Sequence, residues 1–139
     1  IYKALHGEPL PLDNEGASSR DFIYVEDICR GLIACALHGE PGAVYNIASG
    51  VETTIRTLAE LINEFIGNPG GVEIKPKRSW DHSGRRFGAT AKSKNEIGFE
   101  AQVSLKNGLE ETIEWTQANL PLIQACIDRQ KAIMSLTLE

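Results

Sequence analysis

Two stretches of this 139-residue chain concentrate side chains suited to gripping an anion. The first is Ser18-Ser19-Arg20-Asp21-Phe22-Ile23-Tyr24-Val25-Glu26-Asp27. The second runs from Lys75 through Arg78, Trp80, Asp81 and His82 to Arg85, Arg86 and Phe87. From Glu73 to Gly88, five basic side chains (Lys75, Lys77, Arg78, Arg85, Arg86) stand against two acidic ones (Glu73, Asp81), in a chain of net charge −5. A guanidinium presents a planar fork of donors that matches two phosphate oxygens at once. A glycine-containing loop with three arginines thus has the composition of a diphosphate clamp. The competing reading is a solvated basic loop, because surface arginines are common, and charge alone does not separate the two. Trp80 also has two readings, stacking on a base or sugar face or simply packing the loop.

Other groupings carry less. Asp81-His82-Ser83 juxtaposes the residue types of a hydrolytic triad, but triads are assembled in space and no G-x-S-x-G elbow is present. Asp21, Glu26 and Asp27 suggest a metal only until Asp27 is read as a helix cap. The three histidines show no metal spacing. Three cysteines, Cys29, Cys35 and Cys126, form no CxxC pair, which points to buried reduced thiols in a cytosolic, hence cytoplasmic, protein. The acidic balance argues against nucleic acid as a partner. No apolar run approaches the roughly 20 residues that cross a bilayer. The start, Ile1-Tyr2-Lys3-Ala4-Leu5, shows no signal-peptide pattern, and without an initiator Met it reads as the middle of something longer.

The elements that must position these residues follow from spacing. Residues 1–5 read as a helix end closed by Gly7. Pro9-Leu10-Pro11-Leu12 is extended, because each proline fixes φ and constrains its predecessor. Asp13 to Gly16 forms a turn. Asp21 to Val25 reads as a strand feeding a helix capped by Asp27, with Ile28, Leu32 and Cys35 as its apolar face and Gly39 as its end. Ala43 to Ala48 is the strongest strand, apolar enough to be buried on both faces of a parallel sheet. Thr54 caps a helix striped by Leu58, Leu61, Ile62 and Phe65, stopped at Gly67. A strand at Val72 to Lys75, a loop from Lys77 to Gly88 and a short helix from Lys92 to Ile97 follow. Ser104 caps a helix bearing Leu105, Leu109 and Ile113, and a last amphipathic helix runs from Pro121 to Met134. The alternation indicates an α/β, or mixed α+β, class.

The order of several segments resembles a known family. Arg20-Asp21-Phe22-Ile23-Tyr24-Val25-Glu26-Asp27 is similar to the R-D-F/Y-I/V-Y/H-V-x-D segment of extended short-chain dehydrogenase/reductases that act on nucleotide sugars, the NAD-dependent epimerase/dehydratase family. Tyr45-Asn46-Ile47-Ala48-Ser49-Gly50 resembles its Y-N-[IL]-[GA]-[ST]-G strand and turn. Arg78-Ser79-Trp80-Asp81 sits where its members often carry R-P-G-D. Lys92-Ser93-Lys94 through Ile97-Gly98-Phe99 resembles its S-K helix. Val103-Ser104-Leu105, Gly108-Leu109 and Thr112-Ile113-Glu114-Trp115 resemble its closing helix. Two positions depart from the pattern: Ser79-Trp80 replaces Pro-Gly, and Ala89 falls about where many members place an aspartate.

The resemblance implies the C-terminal, substrate-binding part of such an enzyme. Arg20 and Arg78 would contact the substrate's phosphates, Asp81 would hold the nucleoside ribose, and Arg85 or Arg86 would be a further phosphate partner. Residues 1–117 would form the portion that binds a nucleoside-diphosphate sugar, with 21–50 lending elements to a Rossmann domain upstream, and 118–139 a helical extension. NAD would be bound upstream and would transiently oxidise the sugar. Epimerisation, an isomerase reaction, or a lyase reaction such as dehydration would follow. The chain has no G-x-x-G-x-x-G or G-x-G-x-x-G after a strand and no Tyr-x-x-x-Lys, so the fragment alone is expected to be inactive. Alternative readings are a non-catalytic binding or oligomerisation module of the same fold, and a homo-oligomer formed by exchange of elements between copies.

Overall fold

A computed structural model describes residues 1–80 and 84–136, without the side chains at 132, 135 and 136. In chain order the elements are α1 (Tyr2–Leu5), β1 (Leu10–Asp13), β2 (Ser19–Asp21), α2 (Val25–His38), β3 (Glu52–Thr54), α3 (Ile55–Ile66), β4 (Val72–Lys75), α4 (Ala91–Ile97), α5 (Leu105–Ala118) and α6 (Leu120–Leu136). The mixed α/β class expected from the alternation is the one adopted.

The core forms where the helical stripes meet the extended N-terminal segment. The Thr54 hydroxyl accepts the Thr57 N–H at 3.0 Å and starts α3, and Gly67, in the left-handed region at φ 68°, ends it. Between these caps Ala59 and Ile62 pack with Ala4, Leu10, Leu12, Leu109 and Ile113, with Leu58, Leu61 and Phe65 alongside. The Ser104 hydroxyl caps α5 by accepting the Asn107 N–H at 3.2 Å, which turns Leu109 and Ile113 toward this cluster.

The strands form two separate pairs. β1 and β4 run parallel, with Leu10 opposite Val72 and Asp13 opposite Lys75. β2 and β3 run antiparallel, with Ser19 opposite Thr54, Arg20 opposite Thr53 and Asp21 opposite Glu52. β1 therefore ends beside the chain that enters the Lys77–Gly88 loop, while β2 ends beside Glu52.

Four expectations need correction. The expected strand at Asp21 to Val25 lies earlier, at Ser19–Asp21, and Phe22 to Tyr24 join no ladder. Asp27 does not cap α2: the cap position is Tyr24, with no side-chain bond, and Asp27 lies inside the helix, wholly buried. Its carboxylate instead accepts the N–H groups of Gln102 and Val103, at 3.0 and 2.9 Å, and pairs with Arg30. The segment from Ala43 to Ala48 enters no ladder among the described residues, and Val44 is 78% exposed. An apolar strand is buried on both faces only when elements cover both, and here α2 and Gly39 approach one side, at Ile47 and Tyr45, while Val44 faces out. The thiols are not buried as a set, since Cys29 and Cys126 are exposed, lying on faces of α2 and α6 that nothing described here covers.

Candidate functional site

β2 anchors the site. The Asp21 carboxylate accepts four hydrogen bonds: from the Ser49 N–H (2.8 Å) and hydroxyl (2.6 Å), the Gly50 N–H (2.9 Å) and the Gly88 N–H (3.1 Å). Burial pushes this carboxyl up, but the hydrogen bonds from Ser49, Gly88 and Gly50 outweigh it, so its pKa lies below the usual value. One side chain thereby fastens the Tyr45–Gly50 segment and the arginine-bearing loop to β2. The approach is close: a Cβ on Gly88 would stand 2.5 Å from the Ala48 Cβ. The Asn46 amide donates to the Ala89 carbonyl at 3.1 Å and secures the same junction.

The loop also joins β2 by backbone. Ser19 N–H donates to the Gly84 carbonyl at 3.2 Å, and Arg86 N–H donates to the Ser19 carbonyl at 3.3 Å. Arg85 forms a β-bridge with Ser19. Successive side chains in such a segment point to opposite sides, which separates Arg85 from Arg86.

Beside this junction lies a cleft of about 360 Å³, lined by Asp13, Ser18, Lys77, Arg78, Gly84 and Arg85 among others. Three cations and one carboxylate line it, so an excess of positive charge gathers locally in an acidic chain. Arg78 Nη2 stands 2.7 Å from Asp13 Oδ2, and the Arg78 guanidinium lies 5.4 Å from the centre of the Trp80 ring. Arg85 donates from Nε and Nη2 to the two Glu52 oxygens at 2.7 and 2.5 Å, and the Ser19 hydroxyl donates to Glu52 Oε1 at 2.5 Å. The hydrogen bonds from Arg85 and then Ser19 draw the Glu52 pKa down to about 2, and the Arg85 pKa rises in return.

The residues singled out by sequence therefore divide. Arg78 and Arg85 line one cleft. Arg20 does not: its Nη1 donates to the Ser19 carbonyl at 2.6 Å and to the Gly84 carbonyl at 3.3 Å, so it braces the cleft wall from β2. Arg86 is outside the lining. Asp81 lies outside the described residues. Trp80 is exposed and stacks on Arg78. The sequence assigns Asp13 and Glu52 no role in the site, and Ser18 and Lys77 enter only as members of the two clusters. The charge of Lys77 was in view; the roles of Asp13 and Glu52 depend on strand register, which no local pattern reveals.

The solved structures supply the deciding comparison. This chain is 51% identical to the enzyme WbmF of Bordetella bronchiseptica, in a crystal structure with NAD+ and UDP, at a TM-score of 0.84 over 97% of this chain and 40% of that one. The family model for GDP-mannose 4,6 dehydratase matches residues 1–112. The chain belongs to the NAD-dependent epimerase/dehydratase family. Among curated family members, the low-salt glycan biosynthesis protein Agl12 of Haloferax volcanii is 35% identical over 117 residues, covering 83% of this chain and 37% of that protein. The UDP-glucose 4-epimerase of Thermotoga maritima, solved with UDP-glucose, is 31% identical at a TM-score of 0.80, covering 86% of this chain and 38% of that one. The chain thus spans well under half the length of these family members.

NAD occurs in the WbmF structure, and its fit to the present residues can be tested. A dinucleotide pyrophosphate needs a glycine-rich turn between a strand and a helix N-terminus. The direct strand-to-helix junctions here, Asp21 to Val25 and Thr54 to Ile55, contain no glycine. These two junctions offer no such turn for the pyrophosphate. No helix among them is long and apolar enough to cross a membrane.

Proposed function

We propose that this chain is the nucleotide-holding part of a nucleotide-sugar epimerase or dehydratase, whose NAD-binding part lies upstream. The cleft lined by Lys77, Arg78 and Arg85 carries this reading. Its volume lies in the range of roughly 300–1,000 Å³ typical of small-ligand sites, and its charge suits a diphosphate. Arg78 and Arg85 would take the phosphate oxygens, and Arg20 would hold the Gly84 wall in place. Asp81 would meet the ribose. Fixing the nucleotide in this way orients the sugar for reaction, which is the share of catalysis left to this chain. The redox chemistry, oxidation and re-reduction of the sugar, is assigned to the upstream NAD-binding part, and the 139 residues alone would not turn over substrate.

The same reading gives residues 21–50 a partner. Val25, Leu32, Ile33, Leu37 and Val44 are exposed apolar side chains on α2 and the segment that follows it. They would pack against the sheet of the upstream domain, where Ala43 to Ala48 would find its neighbouring strands.

The test is a titration of the full-length protein with UDP and, separately, NAD. Arg78→Ala should weaken UDP binding about tenfold or more, in line with a lost charge-assisted bidentate contact, and leave NAD affinity as it was. Arg20→Ala should weaken UDP binding less, because it acts through Gly84. Unchanged UDP affinity in both variants would overturn the reading.

A further inference from the structure

Arg85 reaches the cleft already paired. Its Nε and Nη2 are held by both oxygens of Glu52, at 2.7 and 2.5 Å, and Glu52 is itself held by the Ser19 hydroxyl. Glu52 lies on β3, opposite Asp21, so its backbone is fixed by the ladder. The Arg85 backbone is fixed too, through its bridge to Ser19. A guanidinium has five N–H donors in a rigid fork. With one edge occupied by a carboxylate anchored on a strand, the plane and direction of the remaining donors are set before any ligand arrives. A free arginine side chain would have to be ordered on binding, at a cost of about one rotamer-rich side chain.

We infer that Glu52 is a positioning residue, orienting the Arg85 guanidinium on the cleft wall so that its remaining donors meet the diphosphate of a nucleotide. The inference rests on the cleft being the diphosphate site. It also makes an unusual demand. Taken as charge alone, a carboxylate beside an anion site repels the ligand, and removing it should tighten binding. Taken as a positioning group, its removal should loosen binding. The sign of the effect separates the two.

The experiment is calorimetric titration of UDP into the full-length protein as wild type, Glu52→Gln, Arg85→Ala and the double variant, with NAD affinity measured on each. Glu52→Gln should weaken UDP binding about three- to tenfold, the size expected when a charge-assisted hydrogen-bonded pair is loosened. In the Arg85→Ala background the same change should have almost no effect, and NAD affinity should stay constant throughout. Glu52→Asp, which keeps the charge but withdraws it by one methylene, should show a similar loss. UDP affinity in Glu52→Gln equal to or tighter than wild type, or an equal loss in both backgrounds, would refute the positioning role. If that happens while Arg85→Ala alone weakens UDP, the diphosphate reading survives and only the inference falls. If Arg85→Ala leaves UDP affinity unchanged, Arg85 has no part in the site and the inference falls, while the diphosphate reading stands or falls with Arg78→Ala and Arg20→Ala. Parallel losses of UDP and NAD affinity in both Glu52 variants would mark a merely structural role and also overturn it.

Discussion

Helices α3 and α2 have similar lengths, 12 and 14 residues, and both present apolar side chains, yet only one of them is covered. α3 lays Ala59 and Ile62 into the cluster with Leu12, Leu109 and Ile113. α2 buries only Asp27 and Gly31, and leaves Leu32 60% and Leu37 70% exposed. Gly31 lies against Ile47 and Phe99, so one narrow strip of α2 is packed while its apolar face is open. An apolar stripe therefore says that a helix packs against something, but not whether the partner belongs to the same segment of chain.

The strongest way to break this contrast is by truncation. Ile62→Ala should destabilise the 139-residue chain by about 2–5 kcal/mol, the range for emptying a packed core site. Leu37→Ala should change it by less than about 0.5 kcal/mol, as for an exposed position. In the full-length protein the Leu37 effect should rise toward the Ile62 effect. Denaturant titration of both variants in both lengths checks this, and a Leu37 effect that is small in each would deny α2 an upstream partner.

Next in size is Asp27, which ties the two regions together. Asp27→Ala would leave the Gln102 and Val103 N–H groups without their acceptor and Arg30 without its partner, and should cost about 3 kcal/mol. The loss should appear equally in the segment and in the full-length protein, because Gln102, Val103 and Arg30 all lie within the segment. A loss confined to one of the two lengths would place Asp27 on the wrong side of the comparison.

What the sequence made legible follows the same division. α3, α4 and α5 were readable because caps, stripes and left-handed glycines at positions 67 and 98 all act within a few residues of one another. The Ala43 to Ala48 segment reads as a buried strand because its composition is that of one, and composition cannot reveal that no flanking strand stands among the described residues. Arg78 and Arg85 stood out by charge. Arg20 stands out through resemblance, yet its guanidinium is directed to two backbone carbonyls, those of Ser19 and Gly84, because the pairing of β2 with β3 and the bond from Ser19 N–H to Gly84 fix where it reaches. Glu52 and Asp13 went unnoticed, since an acidic residue on a short strand acquires meaning only from the chain beside it.

Acid should loosen the junction of β2 with the loop before it affects the α3 core. The folded-state pKa of Asp21 is depressed, so its contribution to stability is fully present above the unfolded carboxyl value of about 4 and is lost as pH falls through the lower folded value. Asp21→Asn should remove that portion of the acid dependence. Protection of the Ser49, Gly50 and Gly88 amides, relative to their intrinsic exchange rates at each pH, should fall in wild type at low pH and be low in the variant at neutral pH. Unaltered protection of these amides in Asp21→Asn would show that the loop is held by other contacts.

The smallest effect belongs to Tyr24, where the start of α2 meets α5. Its hydroxyl donates to Glu111 Oε2 at 2.7 Å, linking the start of α2 to α5, and its ring stands where a Cβ on Gly108 would meet it at 3.0 Å. The hydrogen bond to Glu111, followed by burial and the charges of Glu111 and Glu26, raises the phenol pKa to about 12. The raised value means that the tie is fully present below the unfolded tyrosine value of about 10 and is lost as pH rises through about 12. Tyr24→Phe keeps the ring on Gly108 and removes only the hydroxyl, so it should lower stability only slightly at neutral pH. The difference from wild type should vanish in strong alkali. A phenolate titration by ultraviolet absorbance that finds all three tyrosines ionising together near the ordinary value would show that the tie is not made. The ring against Gly108 and the Asp27 carboxylate would then be what carries α2 on α5.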